Sequence, residues 1–544
     1  MTEAATGPPE RGAPDPRAAA APPEPAAPDP RAAPAPPEPL PAGLPLTLDR
    51  SVRSYGDGRV LVGGEPMRAL RLTPGGRDAV AALLDGTARS EAALRLGRRL
   101  VDGGLAHPRP APAASAGAAG ITVVVPVRDR PAALNRCLAA LGDAAPVIVV
   151  DDGSRDATAI AACCRAHGAA LFRRERPGGP GAARNAALPA VATPLVAFVD
   201  SDCEPDAGWL DALAGHFADP LVAAVAPRVR PAAPHAGAPH VSAPHASAPR
   251  AAPRSAARRS AAPRSGAPRG AAQRAASPRA AAGTCARFAA ARSPLDMGPR
   301  PARVVPGGRV AYVPAAALVV RRAALGAGFD ESLRHGEDVD LVWRLHDQGG
   351  RVRYEPTASV RHAEPERWRA WLERRFRYGT SAAPLHRRHP GRVTPAVLRP
   401  WPTAAATLAL ASRPAAALGI VAVNGTVLAR RVRGAGVPAP RALAWSAKAG
   451  VQTVAGAGRA ATALGVPALL AVAVAGRGRA RGAAVALLAA PPLLDWTRRR
   501  PALDPLRWTL ACIADDAAYG AGVWHGCLRE RTAGPLRPAR RAPR

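Results

Sequence analysis

Hydrophobic and polar positions follow three different patterns along this chain. In residues 119–390, unbroken apolar runs such as ITVVVPV, VIVV and LVAFV alternate with stretches in which apolar residues recur every three or four positions. Unbroken runs are typical of strands buried on both faces, and the wider spacing is typical of amphipathic helices. The repeated order of strand and helix predicts an α/β domain on a parallel sheet covered on both faces.

A second pattern occupies residues 44–110. Short alternating runs flank the turn at Gly64, and helical periodicity begins near Pro74 and again over Leu94–Leu105. This order of strands and helices predicts a small winged-helix-like domain. A packing or regulatory domain is the alternative to a binding domain here.

The third pattern, in residues 391–530, is alanine-rich and apolar in pieces. Thr403–Ala429 is long enough to span a bilayer, although Arg413 interrupts it, whereas Ala461–Gly476 and Gly482–Leu494 are short. We expect interfacial or re-entrant helices with one candidate span, and arginines such as Arg430 at an anionic surface. A soluble alanine-rich helical bundle is the alternative.

Composition adds segments that cannot form a core. Residues 1–43 are rich in proline and alanine, and residues 231–281 consist mainly of alanine, proline, arginine and serine. Both compositions predict disorder, the first as a tail and the second as a basic insertion in the α/β domain; residues 531–544 form a basic tail. The insertion contains eight arginines and no acidic residue, which is about a quarter of the formal net charge of +33. Nucleic acid, an anionic membrane and phosphorylated substrates are all compatible with that charge.

Cysteine usage and the first residues indicate the compartment. The chain has seven cysteines, and the adjacent pair Cys163 and Cys164 lacks the spacing of a metal site. This usage fits a reducing compartment without structural disulfides. The sequence MTEAATGPPERGAPDP has no basic start followed by an apolar stretch, so we expect the soluble parts to be cytosolic.

Four motifs lie where strands of the predicted sheet end. Asp151 and Asp152 follow the run VIVV, and the loop GGPGAARNAAL contains Arg184, which is able to pair with a diphosphate or with aspartates. Open α/β sheets bind ligands at the carboxyl ends of their strands. A carboxylate at such an end can accept a hydrogen bond from a nucleoside, although DDGS also suits a helix cap.

The other two motifs are acidic. Asp200 and Asp202 follow the run LVAFV, and in an extended segment they would point to one side and hold a hard divalent cation. Glu337, Asp338 and Asp340 lie in GEDVDLVWRL at the start of a predicted helix. One carboxylate suffices for capping, so we interpret another as a general base.

Over Ile121–His362, the chain closely resembles the inverting family-two glycosyltransferases of the GT-A (Rossmann-like nucleotide-diphospho-sugar transferase) fold. The resemblance is carried by the order and spacing of the motifs VVVPVRDR, VVDDGS, GAARNAAL, VDSD and GEDVDLVWRL. The resemblance implies a UDP-sugar donor and a Mn²⁺ or Mg²⁺ ion. It implies that Pro126 and Asp152 lie beside the uridine and that Asp151 supports that turn. It also implies that Asp200 and Asp202 are metal ligands and that His362 is a further metal or diphosphate contact. Asp338 would be the base, and Glu337 would lie in the acceptor pocket.

The overall layout resembles a narrower group. Residues 44–110 are similar to peptide-binding domains of the PqqD type, and RRFRYGTSAAPL precedes the alanine-rich helices, as in the glycosyltransferases of mycofactocin systems. This resemblance implies glucosylation of a peptide-derived redox cofactor from UDP-glucose at the cytoplasmic face of the membrane, without nucleic acid. The alternatives are a transferase acting on cell-envelope polysaccharide or polyprenyl phosphate, and a basic binding protein with a degenerate catalytic domain.

Overall fold

The computed structural model describes residues 38–112, 120–232, 283–410 and 413–539. Most of the predicted tail, most of the basic insertion and the last residues of the basic tail lie outside these ranges, so the predictions of disorder apply to residues that are not described. From Pro39 onward the described residues belong to one compact unit. The contacts between its parts can therefore be read directly.

Residues 44–110 fold into two small sheets and two helices. The strands are β1 (Leu46–Leu48), β2 (Arg53–Tyr55), β3 (Val60–Gly63), β4 (Arg68–Arg71) and β5 (Ala106–Pro108), and the helices are α1 (Pro74–Asp85) and α2 (Glu91–Asp102). Strands β2, β3 and β4 form an antiparallel meander, and β1 pairs with β5. The helix predicted near Pro74 is confirmed. The second helix starts and ends about three residues earlier than predicted, since Ser90 caps its first turn.

A nine-stranded sheet forms the centre of the molecule, in the order β10-β14-β11-β13-β9-β6-β7-β8 with β12 beside β14. Its strands are β6 (Ile121–Val127), β7 (Val147–Asp152), β8 (Ala170–Arg174), β9 (Leu195–Val199), β10 (Cys203–Pro205), β11 (Val222–Pro231), β12 (Ala302–Val304), β13 (Ala317–Arg321) and β14 (Arg351–His362). The predicted parallel arrangement is correct for β6 to β9 and for the pair β11 and β14, whereas β13 pairs antiparallel with β9 and β11.

Helices cover both faces of this sheet, which explains its unbroken apolar strands. They are α3 (Pro131–Leu141), α4 (Ala157–Ala166), α5 (Pro180–Ala187), α6 (Trp209–Ala214), α7 (Thr284–Arg292) and α8 (Glu337–Asp347). All seven residues of β6 and all five of β9 are buried. One apolar cluster includes Leu134 and Ile160, and the cluster on the other face includes Leu341 and Trp343. Burial of these side chains is the main source of stability for the sheet.

The described residues after β14 form seven α-helices, and their boundaries correct the sequence prediction. They are α9 (Trp368–Thr380), α10 (Ala382–Arg388), α11 (Pro400–Leu410), α12 (Pro414–Arg433), α13 (Ala439–Ala475), α14 (Gly478–Arg499) and α15 (Pro505–Arg529). The predicted span Thr403–Ala429 is divided between α11 and α12, because Pro414 starts a new helix after Arg413. The short segments Ala461–Gly476 and Gly482–Leu494 belong to longer helices. Two helices, α12 and α13, are long and apolar enough to cross a membrane, which is weak evidence for crossing.

A buried ion network joins residues 44–110 to the central sheet. Arg98 of α2 donates two hydrogen bonds of 2.8 Å to the carboxylate of Asp219, and Arg353 of β14 donates one of 2.6 Å to the same group. Nearby, Arg351 pairs with Asp102 at 2.9 Å. Breaking a buried pair leaves an uncompensated charge, so these contacts fix the small domain rigidly on the sheet.

Candidate active site

The carboxyl ends of β7 and β9 and the start of α8 form one charged edge of the sheet. Asp151 and Asp152 are the last residues of β7, Asp200 directly follows β9, and Glu337 and Asp338 begin α8. The structure thus brings together all four motifs that the sequence singled out. The prediction that Asp200 and Asp202 lie in an extended segment is wrong, because the amide of Cys203 donates to the carbonyl of Asp200 at 2.9 Å and closes a turn.

Arg184 links the two acidic motifs. Its side chain is buried, and its two terminal nitrogens donate to Asp200 Oδ1 at 2.7 Å and to Glu337 Oε1 at 2.9 Å. Its guanidinium also lies 5.1 Å from the centre of the Phe329 ring. Burial acts to lower the pKa of Arg184, but Asp200 and Glu337 outweigh it and raise this pKa. The sequence left open whether Arg184 pairs with a diphosphate or with carboxylates. In the structure it pairs with carboxylates.

Asp338 differs from these paired carboxylates. Its oxygens accept hydrogen bonds from the amides of Val339 at 2.8 Å and Ala315 at 3.4 Å, and among the described residues no cationic group lies within 4 Å of them. Burial, together with the negative charge of Glu337, raises the pKa of Asp338 to about 7, although Arg184 opposes this shift. A carboxylate with a pKa near neutrality is suited to accept a proton.

Asp340 serves the structure of α8. Its buried carboxylate accepts hydrogen bonds from Arg344 at 2.8 Å, from Arg388 at 2.7 Å and from the His389 ring at 2.9 Å. Burial acts to raise its pKa, but these three partners outweigh burial and lower it. Asp340 therefore joins α8 to α10, which leaves Asp338 as the acidic residue of this motif without a cationic partner among the described residues.

The nucleotide-side residues are also engaged with the chain. The carboxylate of Asp152 accepts hydrogen bonds from the amides of Gly178 at 2.9 Å and Gly179 at 2.7 Å, so the glycine loop is joined to β7. Asp151 is buried, accepts from the amide of Ser154 at 2.9 Å and pairs with Arg173. Pro126 is buried in β6 opposite Val150. These residues lie in β6 and at the carboxyl end of β7, and the uridine contacts assigned to them stay predictions.

Asp202 and His362 lie together on the other side of this edge. The His362 Nε2 atom is 3.6 Å from Asp202 Oδ1, and its Nδ1 is 3.5 Å from Glu364 Oε1. Burial acts to lower the pKa of His362, but Asp202 and Glu364 raise it overall. Asp202 also pairs with Arg130, a half-exposed side chain. Among the residues described, no group of three or more metal-binding side chains occurs, so a cation here would need phosphate oxygens or water as well.

Sequence analysis missed a cluster of three tyrosines near Asp338. Tyr312 precedes the segment that donates to Asp338, Tyr378 lies in α9 and Tyr519 in α15. Burial is the main cause that raises the pKa of Tyr312, and Asp338, Tyr519 and Tyr378 are among its charged neighbours. No hydrogen bond to the phenol oxygens of these tyrosines is found among the described residues. No motif connects three tyrosines so far apart in the chain.

Helix α15 reaches this cluster because glycines allow it to approach α9 closely. A Cβ atom at Gly379 would lie 2.1 Å from the carbonyl oxygen of Tyr519, and one at Gly522 would lie 2.0 Å from that of Phe376. Asp515 of α15 accepts hydrogen bonds from Trp371 at 2.8 Å and from Arg375 at 2.7 Å. Arg375 in turn lies over the Tyr519 ring at 5.0 Å. The C-terminal helices therefore form one wall of the site.

Comparison with known proteins agrees with this geometry. Residues 122–256 match the family described as Glycosyl transferase family 2. Over 522 residues, the chain is 37% identical to the pre-mycofactocin glycosyltransferases of two Mycobacterium tuberculosis strains, CDC 1551 and H37Rv, covering 92% of this chain and 98% of each relative. The chain belongs to the pre-mycofactocin glycosyltransferase family. It is therefore a glycosyltransferase whose catalytic domain has the predicted α/β fold of the GT-A type; the winged-helix-like description of residues 44–110 stays a prediction.

Other similarities are more distant. An uncharacterized glycosyltransferase of Mycobacterium bovis is 40% identical over 93 residues, which cover 17% of this chain and 41% of that protein. Among solved structures, the mannosyltransferase PcManGT from Pyrobaculum calidifontis in complex with GDP-Man and Mn²⁺ is 18% identical, covering 72% of this chain and 85% of that one at a TM-score of 0.35. S. aureus TarS 1-349 is also 18% identical, covering 49% and 65% at a TM-score of 0.31.

Proposed function

We propose that this glycosyltransferase moves glucose from UDP-glucose onto a peptide-derived redox cofactor precursor, pre-mycofactocin, with inversion at the anomeric carbon. The observation that carries the catalytic part of the proposal is the environment of Asp338, a carboxylate with a raised pKa at the head of α8. The family gives the class of acceptor, because the relatives that match nearly the whole chain are pre-mycofactocin glycosyltransferases.

In this mechanism Asp338 accepts the proton of the acceptor hydroxyl as that oxygen attacks the anomeric carbon. The two amide hydrogen bonds to Asp338 fix the orientation of its carboxylate. Arg184 pairs with Glu337 and Asp200, and its positive charge offsets their negative charge near Asp338. The bond from the anomeric carbon to the diphosphate breaks in the same displacement. A covalent nucleophile is not needed for a reaction that inverts the configuration.

Asp202, His362 and Asp200 suit a divalent cation of the Mn²⁺ or Mg²⁺ type. A carboxylate and an imidazole nitrogen 3.6 Å apart are chemically suitable ligands, and the pairing of Asp202 with Arg130 shows that this position attracts positive charge. When bound, such a cation supplies Lewis-acid stabilisation of the leaving diphosphate. At the other end of the charged edge, the uridine would be held by Asp151, Asp152 and Pro126.

Tyr312, Tyr378 and Tyr519 would contact the acceptor. Burial raises the pKa of Tyr378 to about 12, so its hydroxyl remains a hydrogen-bond donor at neutral pH. Aromatic rings with free hydroxyls can pack against a sugar or peptide and also hydrogen-bond it. Residues 44–110 would bind the peptide-derived part. We place the enzyme at the cytoplasmic face of the membrane.

Product analysis tests this proposal. Purified protein is incubated with a panel of UDP-sugars and GDP-mannose and with peptide-derived and polyprenyl-phosphate acceptors, and the products are identified by mass spectrometry. We expect hexose addition to the peptide-derived acceptor with UDP-glucose. Product on the lipid acceptor alone would contradict the proposed acceptor, and product with another donor alone would contradict the proposed sugar.

A variant tests the cation ligands. We expect Asp202→Ala to lose the metal-dependent part of UDP-glucose binding in calorimetry with and without EDTA. Asp206→Ala is a matched control, because Asp206 lies four residues away and pairs with Arg230 at the surface. Metal-dependent donor binding that is equal in both variants would contradict the assignment.

A further inference from the structure

Two helices of the C-terminal region, α12 and α13, have the length and apolar composition of membrane spans. A span needs about 20 residues to cross a hydrocarbon core of about 30 Å. Composition does not say in which direction a helix points, and the contacts of these two helices with the rest of the molecule give that direction.

Helix α13 is held to the body of the protein near its first turns. Trp445 packs in an apolar cluster with Val60 and Val62 of β3, beside the turn that joins α12 to α13. At Gly436 in this turn, a Cβ atom would lie 3.4 Å from the backbone of Gly56. The start of α13 therefore rests on the small domain formed by residues 44–110.

A second attachment lies further along α13. Trp524 of α15 donates its indole hydrogen to the carbonyl of Leu464 at 2.9 Å, and a Cβ at Gly520 would lie 1.6 Å from the carbonyl oxygen of Ala463. Trp445 and Ala463 are about 27 Å apart along a helix that rises about 1.5 Å per residue. Since α15 packs on α9, both attachments join α13 to the body of the protein. The stretch of α13 between them lies along the protein and cannot cross a bilayer.

Helix α12 runs antiparallel to this stretch. Asn424 donates a hydrogen bond of 3.0 Å to Ser446, and the Ser446 hydroxyl donates to the carbonyl of Val421 at 3.0 Å. Because α12 packs lengthwise on α13, the axes of the two helices follow the same line along the protein. Helix α12 therefore lies along the protein as well, although its length alone would allow it to span.

Helix α14 also packs along α13. Pro491 of α14 lies 3.8 Å from the Cβ position of Gly458, and Arg499 at the end of α14 donates to the carbonyl of Ala291 at 2.9 Å. From Leu464 to the end of α13 at Ala475 the helix extends about 17 Å beyond its attachment. This distance is about half of a hydrocarbon core, so this part of α13 is too short to cross one.

The outer surface of this layer suits a lipid interface. Leu418 and Val423 of α12 are 69% and 65% exposed, and Val451 of α13 is 61% exposed. Arg459 is exposed in the middle of α13, and six further exposed arginines lie near the helix ends, at Arg430, Arg431, Arg433, Arg477, Arg479 and Arg481. Exposed valine and leucine with arginines at the margins are typical of helices that lie in the headgroup region of anionic bilayers.

We propose that α12, α13 and α14 form a layer that docks into one leaflet of an anionic bilayer, and that no helix of this layer crosses it. This proposal goes beyond the transfer reaction and does not depend on its donor or acceptor. The partner is the interface of a phospholipid bilayer, with anionic headgroups facing the arginines.

Vesicle flotation with the full chain tests the docking. We expect binding to vesicles of phosphatidylglycerol and phosphatidylcholine, and at least about tenfold weaker binding for Val423→Glu/Val451→Glu, because both charges would enter the apolar interface. Arg430→Glu/Arg431→Glu should lose the preference for the anionic lipid. Phe172→Glu is the control, since Phe172 is exposed but lies in β8, outside the layer. Equal flotation of all variants, or none for the parent protein, would overturn the proposal.

A labelling experiment separates docking from crossing. In a Cys163→Ser background, in which the other native cysteines are buried, Arg477→Cys places a thiol between α13 and α14. With the protein added to preformed vesicles, we expect a membrane-impermeant maleimide outside the vesicles to label this thiol, and alkaline carbonate to release the protein. Labelling only by reagent trapped inside the vesicles, with resistance to carbonate, would show a spanning hairpin and overturn the proposal. Unchanged glycosyl transfer to a soluble acceptor shows that each variant is folded.

Discussion

The charged edge of the sheet and the C-terminal helical layer use arginine in opposite ways. At the edge, Arg184 is buried and each of its terminal nitrogens has a carboxylate partner, Asp200 or Glu337. In the layer, Arg430 and Arg431 are exposed at the end of an apolar helix. Buried arginines that are matched within the protein fix a geometry for chemistry, whereas exposed ones are available to an external partner. The same residue type thus has two functions, set by burial and by which charges lie nearby.

The largest effect on the rate of transfer is expected at Asp338, the carboxylate of the charged edge that has no cationic partner among the described residues. Asp338→Asn should lower kcat by about 10²- to 10⁴-fold, because the amide cannot accept the acceptor proton. UDP-glucose binding, measured by calorimetry, should persist. Asp347→Asn at the other end of α8 is the control, since Asp347 pairs with Arg392 away from the edge. Transfer by the Asp338 variant at the parent rate would rule out its role as base.

A second variant tests the difference between buried and exposed arginines. Arg184→Met should lower the free energy of unfolding by about 3–5 kcal/mol, because it leaves Asp200 and Glu337 close together without their cation. Arg431→Met, in the layer, should change it by less than about 0.5 kcal/mol. Denaturant titrations of both proteins measure the contrast. Similar losses of stability in the two variants would remove the distinction.

The pH dependence sharpens the contrast between Asp338 and the paired carboxylates. Because its pKa is raised to about 7, we expect kcat/KM to rise with pH up to about 7 and then to level off, as the base loses its proton. In the unfolded chain Asp338 titrates near 4, so its raised pKa makes the folded state progressively less stable as pH rises from about 4 to 7. Asp338→Asn should therefore be more stable than the parent at pH 8 and equally stable at pH 4. A flat rate profile across this range would contradict the assignment.

The smallest effect is expected for acceptor binding at Tyr519, which lies in α15 at one wall of the site. Tyr519→Phe should raise the KM for the acceptor by about two- to tenfold, which corresponds to the loss of one hydrogen bond, while the KM for UDP-glucose stays the same. Initial rates at varied acceptor and donor separate the two constants. Tyr354→Phe is the matched control, because the Tyr354 hydroxyl donates to the carbonyl of Gly298 within the protein. An equal change in the donor constant would place Tyr519 on the nucleotide side instead.

The order of motifs predicted the charged edge of the sheet well, and its local geometry less well. Strand ends and helix starts were enough to bring Asp152, Asp200 and Asp338 to one side of the sheet, because parallel strands share their carboxyl ends. The turn at Asp200 was missed, since a hydrogen bond to the backbone of Cys203 is not visible as a periodicity. The tyrosine cluster was also missed, because close packing of glycines in α9 and α15 brings it together.

The helical layer shows what composition leaves undecided. Apolar length identified Thr403–Ala429 as a candidate span, but the chain breaks that stretch after α11 and aligns α12 with α13. Orientation depends on Trp445 and Trp524, whose contacts lie in other parts of the chain. A hydrophobic run therefore gives the length of a helix and not its direction.

The sequence by itself determined the kind of protein and the residues available for chemistry, because motif order, carboxylate spacing and alternation of strand and helix are local properties of the chain. Only the tertiary structure decided the state of each group. It paired Arg184 with Asp200 and Glu337, assigned Asp340 to the anchoring of α8, and left Asp338 with its pKa raised to about 7. Burial and the distances between charges set these properties, and both depend on residues far apart in the sequence.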